Sequence, residues 1–276
     1  MLFSLAIIPS IALIIFIYKL DKKEKEPIKF LWKLFLFGIV LVIPAIIIET
    51  VLDEIICVIL TPGSIVYAFF EGFIVAACTE ELGKYFFLKI KSWDSKYFDC
   101  MFDGIVYAVF VSLGFATVEN IMYVFDDGIG VAIMRMFTSV PGHVCFAIIM
   151  GHFYSKARLA INRGEMAECK ANKRKAVLIP ILLHGAYDFL IMMDSETAGD
   201  GITVLAFLAW VVFIIAMFVK VFILVFSASK NDEYIVRYEI GWKCACGRQC
   251  FGNFCANCGR KKPEEVVLRE PAVDIK

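Results

Sequence analysis

The stretch Thr79-Glu80-Glu81-Leu82-Gly83-Lys84 places two carboxylates and one ammonium inside an otherwise apolar segment. Charged groups at bilayer depth are costly unless they are paired or face a polar cavity, so they indicate a functional site. On a helix, Lys84 neighbours both glutamates, because residues three or four apart share a face. One carboxylate can therefore be neutralised by Lys84 while the other stays free for chemistry. The alternative is an amphipathic helix end whose charges lie among lipid headgroups.

Three later apolar segments carry further groups of the kinds that activate water. They contain Glu119, His143, and the pair His184 and Asp188, which share one helix face. A carboxylate can take a proton from water as the water attacks a carbonyl, and a histidine can stabilise the oxyanion or protonate the leaving amine. No Gly-x-Ser-x-Gly or His-Glu-x-x-His motif is present. The set therefore suits water activation by a glutamate.

Several of these residues also have a structural interpretation. Glu119 and the following Asn120 could form hydrogen bonds between helices, and His143 could be a packing histidine with satisfied nitrogens. Arg135 is expected to neutralise an acid such as Glu119 or Asp126. These alternatives stay open at the level of sequence.

The elements that must position these groups are membrane helices. The chain has 276 residues, of which 60% are hydrophobic, a share typical of a membrane protein. Its formal net charge is zero, which argues against a nucleic-acid partner bound by charge. We expect an all-α polytopic membrane protein in the cell membrane.

The apolar runs predict seven spans, each near the length of about 20 residues that a bilayer core needs. Their approximate limits are 2–18, 30–48, 64–88, 102–125, 131–154, 176–193 and 202–226. The loops after spans one, three and five and the tail are rich in Lys and Arg, whereas the loops after spans two, four and six contain none. The positive-inside rule then predicts an outer N-terminus and a cytoplasmic C-terminus.

Spans three to six carry the ionisable groups, while spans one, two and seven are expected to be scaffold facing lipid. At about 1.5 Å per residue, Glu80, Glu81 and His184 lie roughly 12 Å from the cytoplasmic ends of their spans. The same rise places His143 near the midplane. Small residues beside these groups, among them Gly114, Gly142 and Gly151, are expected to let the helices approach closely.

A second feature lies in the tail, where Cys244-Ala-Cys246 and Cys255-Ala-Asn-Cys258 are separated by eight residues. Two such pairs, each followed by glycine, predict a tetrahedral structural zinc site with four thiolate ligands. So short a module needs its metal to fold. Cys250 is expected to be a spare thiol, although it could replace Cys246.

The polar residues of the spans carry a family resemblance. Glu80-Glu81-x-x-Lys84, Phe115-x-x-x-Glu119, His143 in a Gly-His helix and His184-Gly-x-x-Asp188 follow in this order, each in a separate predicted span. Together they resemble the PrsW family of intramembrane proteases, a branch of the group that contains the CAAX prenyl endopeptidases and bacteriocin-processing relatives. The resemblance covers residues 71–188.

The resemblance implies a glutamate-dependent membrane endopeptidase, which often cuts a membrane-anchored substrate such as an anti-sigma factor at its first, regulated site. By the match, Glu80 and Glu81 would be the water-activating and orienting pair, tuned by Lys84. Glu119, His143 and His184 would complete the site, with Asp188 orienting His184. No cofactor is expected for catalysis. The zinc ribbon departs from the family and is expected to serve docking or regulation.

The predicted domains are a membrane protease domain at 1–228 with its motif core at 71–190, a linker at 229–240, a cytoplasmic zinc ribbon at 241–263 and a tail at 264–276. The expected partners are a membrane-anchored protein substrate, the lipid bilayer and a protein that binds the ribbon. Three alternatives remain: a non-catalytic sensor or scaffold that signals through the ribbon, a proton-coupled transporter, and a metalloprotease with zinc held by His143, His184 and a glutamate. Against the transporter, the sequence has no obvious inverted repeat between its two halves.

Overall fold

A computed structural model describes residues 2–193, 195–235, 242–247, 249–250 and 257–261. The helices are α1 Leu2–Leu20, α2 Ile28–Ile59, α3 Ile65–Phe70, the π-helix Glu71–Cys78, α4 Thr79–Ser92, α5 Asp103–Asp127, α6 Ile129–Phe137, α7 Ser139–Asn162, α8 Met166–Ile191, α9 Ser195–Ala198 and α10 Asp200–Lys230. Two short antiparallel strands follow, β1 Trp242–Lys243 and β2 Gln249–Cys250. The predicted all-α membrane architecture is confirmed.

Five helical segments among the described residues are long and apolar enough to cross a bilayer: 2–20, 28–59, 103–127, 129–162 and 200–230. The predicted third span is helical too, but it is divided among α3, the π-helix and α4. The predicted sixth span corresponds to the C-terminal part of α8, with Arg174 and Lys175 directly before it and Asp188 inside it. All seven predicted spans are thus helical, and seven crossings stay a prediction.

The third of these segments is a composite helix that carries the paired glutamates. Its start is capped by Ser64, whose Oγ accepts a hydrogen bond from the backbone N–H of Tyr67 at 3.2 Å. The π-helix then precedes α4, and π-helical turns occur most often near functional sites. On α4, the series Glu80, Lys84 and Leu88 has a four-residue spacing and is buried. One face of this helix therefore carries its charges into the protein.

The centre of the bundle is α5, which contacts α1, α2, α4, α6 and α7. In the most apolar 18-residue stretch of α5, 78% of the residues are buried. The corresponding shares are 22% for α1, 33% for α2 and 22% for α10. The predicted scaffold helices thus lie at the periphery. The helix α8 packs on α7 and on the π-helix, which brings the predicted site residues of four segments together.

Two glycines allow the close approach of α5 to its neighbours. A Cβ atom at Gly114 would lie 2.0 Å from the carbonyl oxygen of Phe35 on α2. A Cβ atom at Gly151 on α7 would lie 2.3 Å from the carbonyl oxygen of Gly104. Gly142 does not serve such a contact, because its nearest neighbour would lie 3.9 Å away.

The residues that directly follow α10 contact the loop before α5. Asp232 accepts a hydrogen bond from the backbone N–H of Phe102 at 2.8 Å, and Tyr234 forms a β-bridge with Cys100. Residues 229–230 of the predicted linker therefore belong to α10 and residues 232–235 are attached to the loop before α5, while residues 236–240 lie outside the described residues.

Candidate active site

The core of the site is an ion triad on α4. The Lys84 Nζ atom lies 2.8 Å from Oε2 of Glu80 and 2.7 Å from Oε1 of Glu81. All three side chains are buried, and the ring of Phe115 lies 4.6 Å from the ammonium. Opposite charges at these distances offset the cost of removing them from water. The predicted proximity of Lys84 to both glutamates is therefore present, but the ammonium contacts both carboxylates, whereas we expected one of them to stay free of it.

His143 connects this triad to α5. Its Nδ1 atom lies 3.1 Å from Lys84 Nζ, and its Nε2 atom lies 2.7 Å from Oε2 of Glu119. An ammonium only donates hydrogen bonds, so Nδ1 accepts, which assigns the ring hydrogen to Nε2 as the donor to Glu119. The imidazole thus links α4, α5 and α7 in a single hydrogen-bonded chain.

His184 provides the second imidazole, from α8. Its Nδ1 atom lies 3.1 Å from Oε1 of Glu81, and its Nε2 atom lies 3.2 Å from Oδ2 of Asp188. The ring stacks on Phe146 with a centroid distance of 4.8 Å, and it lies 5.3 Å from the ring of His143. Both nitrogens of His184 face carboxylates, so both can act as donors.

Arg135 holds Glu119 from the other side. Its Nη2 atom lies 3.0 Å from Oε1 of Glu119, and its Nε donates to Oδ1 of Asn120 at 3.0 Å. Asn120 in turn donates from Nδ2 to the carbonyl oxygen of Ala6 at 2.8 Å. The expectation that Arg135 neutralises an acid is met by Glu119. Arg135 belongs to α6, which is separated from α7 at Thr138, so it does not continue the helix of His143.

Two adjoining cavities reach this network. The first has a volume of about 260 Å³ and is lined by Glu80, Glu119, His143, His184 and Asp188. The second, of about 230 Å³, shares Glu80 and Glu119 and adds Glu49 and Glu71. Glu81 and Lys84 line neither cavity. The two adjacent glutamates therefore differ in access, since only Glu80 faces open space.

All the residues predicted for the site form one connected network: Glu80, Glu81, Lys84, Glu119, His143, His184 and Asp188. Sequence reasoning missed Phe146, which supports the ring of His184, and Tyr123, whose ring lies 4.0 Å from the Arg135 guanidinium. Phe146 lies three residues after His143, on a neighbouring position of the same helix, which is the signal that could have found it.

Comparison with known proteins matches residues 26–222 to the PrsW family of intramembrane metalloproteases. The chain belongs to the PrsW family. It is 37% identical over 195 residues to Protease PrsW of Geobacillus kaustophilus, which covers 71% of this chain and 81% of that protein. It is 34% identical over 207 residues to Protease PrsW of Bacillus subtilis, with 75% and 90% covered. Identity to Protease PrsW of Clostridioides difficile is 36% over 226 residues, with 76% and 87% covered. No solved structure matches.

Membership of the PrsW family supports protease activity in a multi-pass membrane protein. Because the family is described as metalloproteases, the site must be tested for residues that could bind a metal ion. Glu80, Glu81, His143 and His184 each offer one ligand atom within 4.8 Å of the others. This donor set suits zinc. However, Lys84 Nζ lies within hydrogen-bonding distance of Glu80, Glu81 and His143. A divalent ion held by these three residues together would lie where the ammonium lies, so they do not fit one while Lys84 holds this position.

A separate cysteine cluster lies in the tail of this PrsW-family chain. The ligand atoms of Cys244, Cys246 and Cys258 lie within 4.8 Å of one another, and the Sγ atoms of Cys244 and Cys258 are 3.4 Å apart. Such a cluster could bind a metal ion. The predicted fourth ligand, Cys255, lies outside the described residues, as does the side chain of Cys250.

Proposed function

We propose that this chain is an intramembrane endopeptidase that hydrolyses a peptide bond of a membrane-associated protein, with Glu80 activating the water. One observation carries the assignment of the base: Glu80 lines both cavities, whereas Glu81 is 0% exposed and lines neither. A water that attacks a substrate must reach the carboxylate that deprotonates it. Glu81 then orients Lys84 and His184.

In the proposed reaction, Glu80 accepts a proton from water while the water oxygen bonds to the carbonyl carbon. The carbonyl π electrons move to oxygen, and an imidazole N–H stabilises the resulting oxyanion. His184 suits this role because it lines the first cavity together with Asp188, and the oxyanion would replace Asp188 as the acceptor of the Nε2–H group. When the C–N bond breaks, the amine takes up the proton that Glu80 received. The products are a carboxyl group and an amine.

We propose that the substrate reaches the site from the outer face. The cavities extend to Asp126 and Asp127 at the end of α5 and to Met192 just after α8. The positive-inside pattern assigns these ends to the outside. A protein anchored in the bilayer can present an extended segment at this mouth, and an anti-sigma factor cut at its first, regulated site is the substrate that the family resemblance implies.

We further propose that residues 1–228 form the protease domain and that 241–263 form a cytoplasmic zinc ribbon used for docking or regulation. The clustering of Cys244, Cys246 and Cys258 supports a metal in the ribbon. Residues 232–235 are attached to the loop before α5, so the predicted ribbon follows closely in sequence after a segment that contacts the membrane helices.

The function is tested by comparing protein N-termini by mass spectrometry in cells that carry the native chain, Glu80→Gln or Glu54→Gln. Glu54 is an exposed acid outside the cavities and serves as the matched control. We expect new termini near a membrane anchor with the native chain and with Glu54→Gln, and their loss with Glu80→Gln. Identical termini in all three would contradict the protease and favour a scaffold that signals through the ribbon.

A further inference from the structure

We infer that the ammonium of Lys84 is the resident cation of this site: it takes the position between Glu80, Glu81 and His143 that a divalent metal ion would need, and it keeps such an ion out. The inference concerns the same residues as the proposed function, but its test reads metal content and not proteolysis. A failure of one can therefore be told from a failure of the other.

The first argument is that atoms which would coordinate a metal ion already accept hydrogen bonds from Lys84. Lys84 Nζ lies 2.8 Å from Glu80, 2.7 Å from Glu81 and 3.1 Å from His143 Nδ1, so three of the four potential ligands already point at a positive charge. The three N–H bonds of an ammonium match these three acceptors in number. A second cation at the same point would be repelled by the ammonium at close range, and the two oxygens and the nitrogen nearest to that point already accept hydrogen bonds from Lys84.

The second argument is that Lys84 has nowhere else to place its charge. The residue is 1% exposed, and the ring of Phe115 lies 4.6 Å from its ammonium. If the ammonium moved away from both carboxylates into apolar surroundings, it would be a buried charge without an ion pair, which is costly. The ammonium is thus held where it is, and it stabilises the site as a fixed part of the protein.

The third argument is that the remaining donors are otherwise arranged as in a metal site. The outer nitrogens of the two imidazoles lie against carboxylates, with His143 Nε2 2.7 Å from Glu119 and His184 Nε2 3.2 Å from Asp188. Metal-bound histidines are oriented by carboxylates in this way. Shortening Lys84 to alanine would remove the cation and leave two carboxylates and two imidazole Nδ1 atoms around the vacated space. We expect that variant to bind zinc.

The experiment is a zinc count per chain on the full-length protein in detergent, equilibrated with excess Zn²⁺ and then desalted. Four proteins are compared: native, His143→Ala, Lys84→Ala, and the double variant. Any zinc in the C-terminal cysteine cluster is common to all four, so differences report only the buried site. Lys89→Ala, which removes an exposed lysine from the same helix, is the matched control.

We expect equal zinc in the native chain, His143→Ala and Lys89→Ala, one additional zinc per chain in Lys84→Ala, and loss of that addition in the double variant. The inference is overturned if His143→Ala holds less zinc than the native chain, because the native site would then contain metal. It is also overturned if Lys84→Ala melts cooperatively yet gains no zinc. Should Lys84→Ala not fold, the comparison of the native chain with His143→Ala decides alone.

Discussion

The Nδ1 atom of His184 lies 3.1 Å from the Oε1 atom of Glu81, although 103 residues separate the two in the sequence. The same carboxylate oxygen lies 2.7 Å from the ammonium of Lys84. Glu81 therefore ties α8 to α4 at the centre of the site. Glu80, its neighbour in the sequence, faces the cavities instead. We therefore expect substitutions at Glu81 to affect mainly stability and substitutions at Glu80 to affect mainly cleavage.

Glu81→Gln is expected to destabilise the protein, because it leaves Lys84 and His184 with a neutral partner in a fully buried position. Removing one partner of a buried ion pair costs about 3–5 kcal/mol. Glu80→Gln should cost less stability and should lower cleavage by about 10²–10⁴-fold, the usual contribution of a general base. Thermal unfolding in detergent and cleavage of a membrane-anchored substrate measure the two effects. Equal melting temperatures for the two variants would contradict this division.

Arg135→Leu should destabilise the protein by about 3–5 kcal/mol, because it leaves Glu119 without its ion pair and Asn120 without its donor. Arg163→Leu is the control, since Arg163 is exposed at the end of α7. Denaturation followed by tryptophan fluorescence measures both. A loss of equal size in the two variants would show that the Glu119 contact contributes no specific stability.

Gly114→Ala should weaken the packing of α2 against α5, because its Cβ would lie 2.0 Å from the carbonyl oxygen of Phe35. Overpacking of this kind costs about 1–3 kcal/mol or more. Gly130→Ala is the matched substitution, as no atom lies within 4 Å of its added Cβ. Melting temperatures in detergent compare them, and an unchanged value for Gly114→Ala would argue against close helix contact at this point.

Stability should fall as the pH rises because of two buried acids in the loop after α1. Burial raises the pKa of Glu26 from 4.5 to about 8 and that of Asp21 from 3.8 to about 6. The folded protein then holds protons that the unfolded chain has released, so the stabilisation is complete below pH 4 and is lost towards pH 8. One such group gives a slope of at most about 1.4 kcal/mol per pH unit.

Glu26→Gln should flatten that slope, whereas Glu24→Gln should not, because Glu24 is exposed in the same loop. Unfolding free energies measured between pH 5 and 8 provide the comparison. A native slope that Glu26→Gln leaves unchanged would show that the carboxyl of Glu26 is not the group responsible.

Cys258→Ser should remove the metal of the tail without changing the melting of the membrane helices. Cys258 lies 3.4 Å from Cys244 and belongs to the cysteine cluster, which is remote in sequence from the bundle. Zinc per chain and thermal unfolding are measured together, with Cys57→Ser as a thiol control outside the cluster. Retention of all zinc by Cys258→Ser would contradict the proposed ribbon.

The sequence by itself determined the helices and the contacts between ionisable residues of the same helix. Apolar runs of spanning length and the alternation of basic loops are local properties, so they can be read without knowing how helices pack. The four-residue spacings of Glu80 with Lys84 and of His184 with Asp188 fix contacts within one helix, and both contacts are present. The π-helix before α4 and the separation of α6 from α7 at Thr138 had no clear sequence signal.

Only the tertiary structure decided which glutamate faces the cavities and what lies opposite each imidazole. The contacts of His143 with Lys84 and of Arg135 with Glu119 join different helices. Such contacts depend on the rotation and depth of each helix relative to its neighbours, which are set by packing over the whole bundle, including the glycine contacts of α5. A spacing along one chain segment carries no information on that rotation, so Glu80 and Glu81 are equivalent in the sequence and distinct in the fold.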